Sequence, residues 1–388
     1  MELLGKSKEE LRAFCAELGE PAYRGGQIYH ALYAERKFDF ARMTNLPATL
    51  RGRLAKKARV TLPEVKQRFV SSDGSVRYLF GLVEIQEKRI NTEIAEDTES
   101  TEKNQKTPAN LRTRPSVEAV FMPGEGRQTI CISTQAGCAV DCHFCLTAQL
   151  GLIRNLTAGE ILAQALLPLE EHKAELAPAF EAQGKQTNIV LMGQGEPLLN
   201  FEPVMAALRI LLAPEGVGIS PKHVTLSTSG IVPGIERLAQ EKVRPKLAIS
   251  LNASNDEQRN ALMPINKKYP LRTLMEACKN YPLRPWEHLT FEYVMLGGVN
   301  DSADDARRVV RLLASLKRVK VNLIPWNPGE LPYRESAPER IEEFRRTLND
   351  KGVPAFVRYS RGRDVMAACG QLALLQVQSP LTTLKSSV

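Results

Sequence analysis

From about residue 117 onward the chain alternates short apolar runs with amphipathic helical patterns, and this alternation narrows the fold more than any other feature. Six runs read as strands: 128–134, 188–192, 223–228, 246–251, 289–296 and 320–325. Between them, apolar residues recur at helical spacing, as in Val309, Leu312, Leu313 and Leu316 after Ser302. Thr157-Ala-Gly-Glu160 reads as a capping box, in which Thr and Glu satisfy the free N–H groups of a first helical turn. Strands joined by helical crossovers run parallel. The expected class is therefore α/β, with six β-α units closing as a partial or full barrel. An open doubly wound sheet is the alternative.

The unusual residues all follow strand ends. A cysteine-rich loop follows the first strand, and Gly193-Gln-Gly-Glu196-Pro197 follows the second. Ser227-Thr-Ser-Gly230, Ser250-Leu-Asn252 and Trp326-Asn327 end the third, fourth and sixth. Carboxyl strand ends are the face where β/α barrels build active sites.

The loop reads Gly137-Cys138-Ala-Val-Asp-Cys142-His-Phe-Cys145, a C-x3-C-x2-C pattern. Three thiolates this close can wrap one corner of an iron–sulfur cubane and leave the fourth iron open. An open iron can chelate S-adenosylmethionine (SAM), and an electron from the cluster then generates a 5′-deoxyadenosyl radical. A structural zinc site with His143 or Cys131 as fourth ligand is the other reading, although paired C-x2-C arms are absent. Seven cysteines in a chain of 388 residues argue against a disulfide framework.

Outside the alternating region, residues 1–62 carry helical periodicity, with Pro21 and Gly25-Gly26 expected to break it into two helices. Residues 63–85 read as a hairpin turning at Ser72-Asp73-Gly74. Residues 86–116 are acidic and then polar, expected to form a mobile insertion. The remainder divides into a catalytic domain at 117–375 and a tail at 376–388. The net charge of +8 favours a polyanionic partner such as RNA. Arg51, Arg53, Lys56, Lys57 and Arg59 lie in the N-terminal region expected to grip its backbone. No stretch reaches the roughly 18 apolar residues of a membrane span, and the amino terminus lacks a signal-peptide core, so a cytoplasmic location is expected.

The cysteine motif, with TAQ (147–149), RNLT (154–157), MGQGEPLLN (192–200), LSTSG (226–230), PINKKY (264–269), NLIPWNP (322–328) and AACGQL (367–372), resembles the RlmN family of radical-SAM adenine-C2 methyltransferases. The resemblance implies a [4Fe–4S] cluster on Cys138, Cys142 and Cys145. It also implies two SAM molecules per turnover. One methylates Cys369, and the other yields the radical that removes a hydrogen from the S-methyl group. The carbon radical adds to adenine C2, Glu118 takes the C2 proton, and Cys131 attacks the Cys369 sulfur to release product and leave a disulfide. Gly195, Glu196, Ser227, Ser250, Leu251, Asn252 and Asn327 would hold SAM. The implied substrates are 23S rRNA and tRNA, with an electron donor such as flavodoxin and a monomeric enzyme.

Apart from that resemblance, Glu118 reads as an alternating exposed strand residue, and Cys131 and Cys369 as small packing residues. Cys15 and Cys278 match no motif and read as core thiols. Two positions depart from the family pattern: Gln194 replaces Met, and Asn252 replaces His. The competing functions are adenine-C8 methylation of the antibiotic-resistance type, a radical-SAM reaction of another class, and a zinc-stabilised RNA-binding protein without catalysis.

Overall fold

The computed structural model describes residues 1–83, 115–172 and 186–372. Most of the expected insertion at 86–116 and the expected tail at 376–388 lie outside the described residues.

Three helices open the chain: α1 (Lys8–Glu17), α2 (Tyr23–Tyr33) and α3 (Ala48–Lys57). Ser7 and Glu10 close a capping box at the start of α1. Gly25 and Gly26 lie inside α2, so they are not the expected break, which falls at Pro21. The reason is packing. A Cβ on Gly25 would stand 2.3 Å from the Arg12 backbone nitrogen, so glycine is what lets α2 press against α1.

The main sheet has ten strands, in the order β1-β2-β3-β4-β7-β8-β9-β10-β11-β12. The antiparallel edge consists of β1 (Glu64–Val70), β2 (Val76–Gly81) and β3 (Ser116–Met122), with β3 pairing antiparallel to β4 (Arg127–Cys131). From β4 the sheet is parallel through β7 (Gln186–Leu191), β8 (Val224–Thr228), β9 (Lys246–Ser250), β10 (Leu289–Met295), β11 (Val319–Pro325) and β12 (Ala355–Val357). A short pair, β5 (Gln135–Gly137) and β6 (Leu152–Asn155), brackets the cysteine loop. The six expected parallel strands are present, and β3 forms at the strand expected around Glu118, while β5, β6 and the seventh parallel strand, β12, were not anticipated. At three residues, β5 and β12 are too short to show a period.

The helix α4 (Leu146–Gln149) follows the cysteines, and α5 (Ala158–Glu171) starts with the expected Thr157–Glu160 capping box. The strand crossovers carry α6 (Phe201–Leu212), α7 (Val232–Ala239), α8 (Asp256–Leu262), α9 (Leu271–Asn280), α10 (Ala303–Leu313) and α11 (Pro338–Asp350). Leu3, Leu11 and Ile28 of the N-terminal region share one continuous apolar core with Ile189, Leu226 and Phe291 of the sheet. Among the described residues, no helix is long and apolar enough to cross a membrane.

Candidate active site

Two adjoining cavities open at the carboxyl ends of the parallel strands and share Cys145, Gly193 and Cys369 in their walls. The first, of about 170 Å³, is lined by Cys138, Cys142 and Cys145, by Gly195, Glu196, Ser227, Ser250 and Asn252, and by Cys369. The second, of about 340 Å³, contains Cys131 and Cys369 together. These two cysteines, 238 positions apart in the sequence, thus face one cavity. All seven cysteines are free thiols.

Glycines let the β7 loop lie directly on the β4 loop. Gly195 has φ +95°, and a Cβ there would meet the Gln135 backbone nitrogen at 2.7 Å. The strap is fastened by Thr134 N–H donating to the Gln194 carbonyl (2.8 Å) and by Glu196 N–H donating to Gln135 Oε1 (2.8 Å). The Glu196 carboxylate accepts from Ser229 N–H and Oγ (both 2.7 Å) and from Leu198 N–H (3.1 Å). Even so, burial raises its pKa. Ser227 and Ser250 sit on neighbouring strands with hydroxyls 3.4 Å apart.

Asn252 adopts φ +55°, a left-handed conformation that asparagine tolerates better than most residues. Its Oδ1 accepts from Val294 N–H (2.8 Å), tying β9 to β10. Leu251 is buried in the core, with its N–H donating to the Glu292 carbonyl (2.9 Å), and does not line either cavity. Asn327 does not line them either; its Nδ2 donates to Ser360 Oγ (2.9 Å) and to the Cys369 carbonyl (3.1 Å).

The Cys369 loop is pinned to the cysteine loop. Leu146 N–H donates to the Gly370 carbonyl (2.8 Å), and Thr147 Oγ1 donates to the Leu372 carbonyl. The Cys369 thiol opens into the cavities yet has protein on most sides, and this desolvation pushes its pKa up to about 11. Burial raises Cys131 as well, with Cys369 adding to the shift.

Glu118 is fully buried at the centre of β3, contrary to the exposed position that simple alternation gives it. It forms a buried ion pair with Arg77 of β2. Its N–H donates to Gln194 Oε1 (3.2 Å), and Gln194 Nε2 donates to Glu118 Oε2 (3.4 Å). The strand is covered on both faces, so alternation fails here. Glu118 lies outside the walls of both cavities.

Sequence reasoning missed two supporting groups. Arg259 is buried beneath the site and donates to the carbonyls of Ser229 (2.6 Å), Ser250 (3.1 Å) and Leu251 (3.2 Å), joining the ends of β8 and β9. Glu292 of β10 lines the first cavity and accepts from Asn322 Nδ2 (2.9 Å); burial raises its pKa to about 7. The available signal was a lone acid within the apolar run Leu-Thr-Phe-Glu292-Tyr-Val-Met. Arg77, a lone cation in Val-Arg77-Tyr-Leu-Phe, carried the same kind of signal.

The donor set fits a cluster better than a single ion. Among the described residues, no three His, Cys, Asp or Glu side chains are arranged to hold one metal ion. Tetrahedral structural zinc takes four ligands, whereas a cubane takes three cysteines and leaves its fourth iron open, and the C-x3-C-x2-C loop brings three thiols to this cavity. Burial raises all three thiols, Cys138 to about 12, so iron binding would displace their protons.

Residues 132–313 match the Radical SAM superfamily, and residues 1–60 match the ribosomal RNA large subunit methyltransferase N-terminal domain. With the cysteine loop at the carboxyl end of a parallel sheet, these matches define a radical-SAM enzyme. A probable dual-specificity RNA methyltransferase RlmN of Koribacter versatilis is 46% identical, over 92% of this chain and 96% of its own length. The dual-specificity RNA methyltransferase RlmN of Anaeromyxobacter sp. is 43% identical, over 94% of this chain and 88% of its own. A crystal structure of a radical SAM methyltransferase from Sphaerobacter thermophilus superposes with a TM-score of 0.80 at 40% identity, covering 96% of this chain and 99% of that one. The chain belongs to the RlmN family of radical-SAM RNA methyltransferases.

Proposed function

We propose that the chain carries a methyl carbon from SAM onto Cys369 and then to C2 of a flipped-out adenine in 23S rRNA and tRNA. The observation that carries this reading is the position of Cys369, which lines one cavity with Cys138, Cys142 and Cys145 and another with Cys131. A carrier must face both a donor and an acceptor. The relatives' names, dual-specificity RNA methyltransferase, support the two RNA substrates. The C2 position rests on the GEPLLN and AACGQLA runs.

Cys138, Cys142 and Cys145 would hold a [4Fe–4S] cluster, which when bound supplies the electron that cleaves SAM to a carbon radical. Two SAM molecules are consumed, one as methyl source and one as radical source. Gly195, Glu196, Ser227, Ser250 and Asn252 surround SAM directly, while Leu251 and Asn327 act through the backbone they brace. Glu118 accepts the C2 proton. Gln194, 3.4 Å from Glu118 and 3.5 Å from the carbonyl of Leu372 in the second cavity's wall, links that carboxylate to the cavity. Cys131 then displaces the product from Cys369 and forms a transient disulfide, as thiol–disulfide exchange requires two sulfurs within reach. A flavodoxin-type protein donates electrons, and the enzyme works as a cytoplasmic monomer.

Replacing the carrier tests the reading. Cys369→Ala retains the cluster's visible absorption and yields no methylated RNA; methylated RNA from this variant would overturn the proposal.

A further inference from the structure

Beyond Cys369, the wall of the second cavity passes to the segment after β12, through Arg358, Tyr359, Ser360 and Arg361. Tyr359 is 67% exposed, and the ring has no aromatic, cationic or hydrogen-bonding partner among the described residues. An exposed ring at a cavity rim presents a flat face on which a planar base can stack. Phe356, on the edge strand, is 45% exposed, with the Arg358 guanidinium over its ring at 5.3 Å. Arg358 uses Nε on Asn322 Oδ1 (3.1 Å), while its terminal nitrogens bond no described residue. Arg361, by contrast, is committed to the Pro123 and Asp73 carbonyls.

The rim is held in fixed relation to the methyl carrier. Asn327 Nδ2 bridges Ser360, next to Tyr359, and the backbone of Cys369 itself. A base stacked on Tyr359 is therefore registered against the sulfur by one shared amide.

We propose that Tyr359 and Arg358 form the stacking platform for the unpaired purine strand, with Tyr359 holding a base face-on at the mouth of the Cys369 cavity and Arg358 pairing with its phosphate. This rests on the RNA-methylation reading above. Base–aromatic stacking is sequence-tolerant, and arginine adds charge and a second planar surface. The platform would accept either of two RNAs that share an extruded adenine.

The test measures binding to the iron-loaded full chain. The probe is a short RNA hairpin with one unpaired adenine, and a second version carries 2-aminopurine there. Tyr359→Ala is expected to weaken binding on the order of tenfold and to relieve the quenching of 2-aminopurine. Tyr359→Phe is expected to restore both, because the ring and not the hydroxyl makes the contact. Arg358→Gln is expected to weaken binding and flatten its salt dependence. An unchanged melting temperature checks that each variant folds. Tyr359→Ala with unaltered affinity and quenching would overturn the proposal. Binding is read separately from methyl transfer, so a chain that binds through Tyr359 yet methylates nothing would contradict the function reading and leave this one standing.

Discussion

At the scale of single residues, two buried carboxylates behave in opposite ways. Glu118 faces the Arg77 guanidinium with both side chains fully buried. Truncating one partner of such a pair leaves an uncompensated charge, at a cost of about 3–5 kcal/mol. Arg77→Met should lower stability in denaturant by about that much, and pairing it with Glu118→Gln should recover much of the loss. A double variant destabilised by the sum of the two single losses would show that the pair is not coupled. Glu292 instead sits near the Asn322 amide in a desolvated wall, and its pKa rises to about 7. A carboxyl whose folded pKa exceeds its unfolded value binds its proton more tightly when folded. It therefore costs stability as pH rises between about 4.5 and 7. Glu292→Gln should flatten this part of the stability–pH curve of the metal-free protein, and an identical slope in both chains would refute the assignment.

At the scale of elements, the parallel strands were legible because each is a continuous apolar run followed by a turn, and the site lies where those runs end. The antiparallel strand β3 was not legible as a buried element. Its pattern, Ser-Val-Glu-Ala-Val-Phe-Met, suggests a wet face, and only the Arg77 on the neighbouring strand reveals that both faces are covered. Gly25 misled for a related reason: it looks like a helix breaker in sequence and is a helix contact in space. The placement of Gly195 carries its own consequence. Gly195→Ala must force the β7 loop off Gln135, since both the positive φ and the close approach exclude a side chain. The expected result is loss of SAM binding in equilibrium dialysis together with lower thermal stability; SAM affinity equal to that of the unaltered chain would show that the loop can relax.

At the scale of the whole molecule, one apolar core runs from the first helices into the sheet. Leu4 presses its carbonyl to 2.7 Å from where a Cβ of Gly159, at the start of α5, would stand. The expected boundary near residue 62 is therefore not a gap in the core, and sequence periodicity cannot reveal a shared interior. The full chain should melt in one transition by calorimetry; two separable transitions would contradict a common core. The same three-dimensional closure brings Cys369, late in the chain, into the wall that Cys138, Cys142 and Cys145 line. No local pattern forced that meeting; the family resemblance required it, and the strand order makes it. Mass spectrometry of the iron-loaded protein, incubated with SAM in the absence of RNA, tests the central claim most directly. A single methyl group on Cys369, and on no other cysteine, is the result the carrier geometry predicts. Cys369 recovered as a bare thiol, from protein that then methylates RNA, would contradict it.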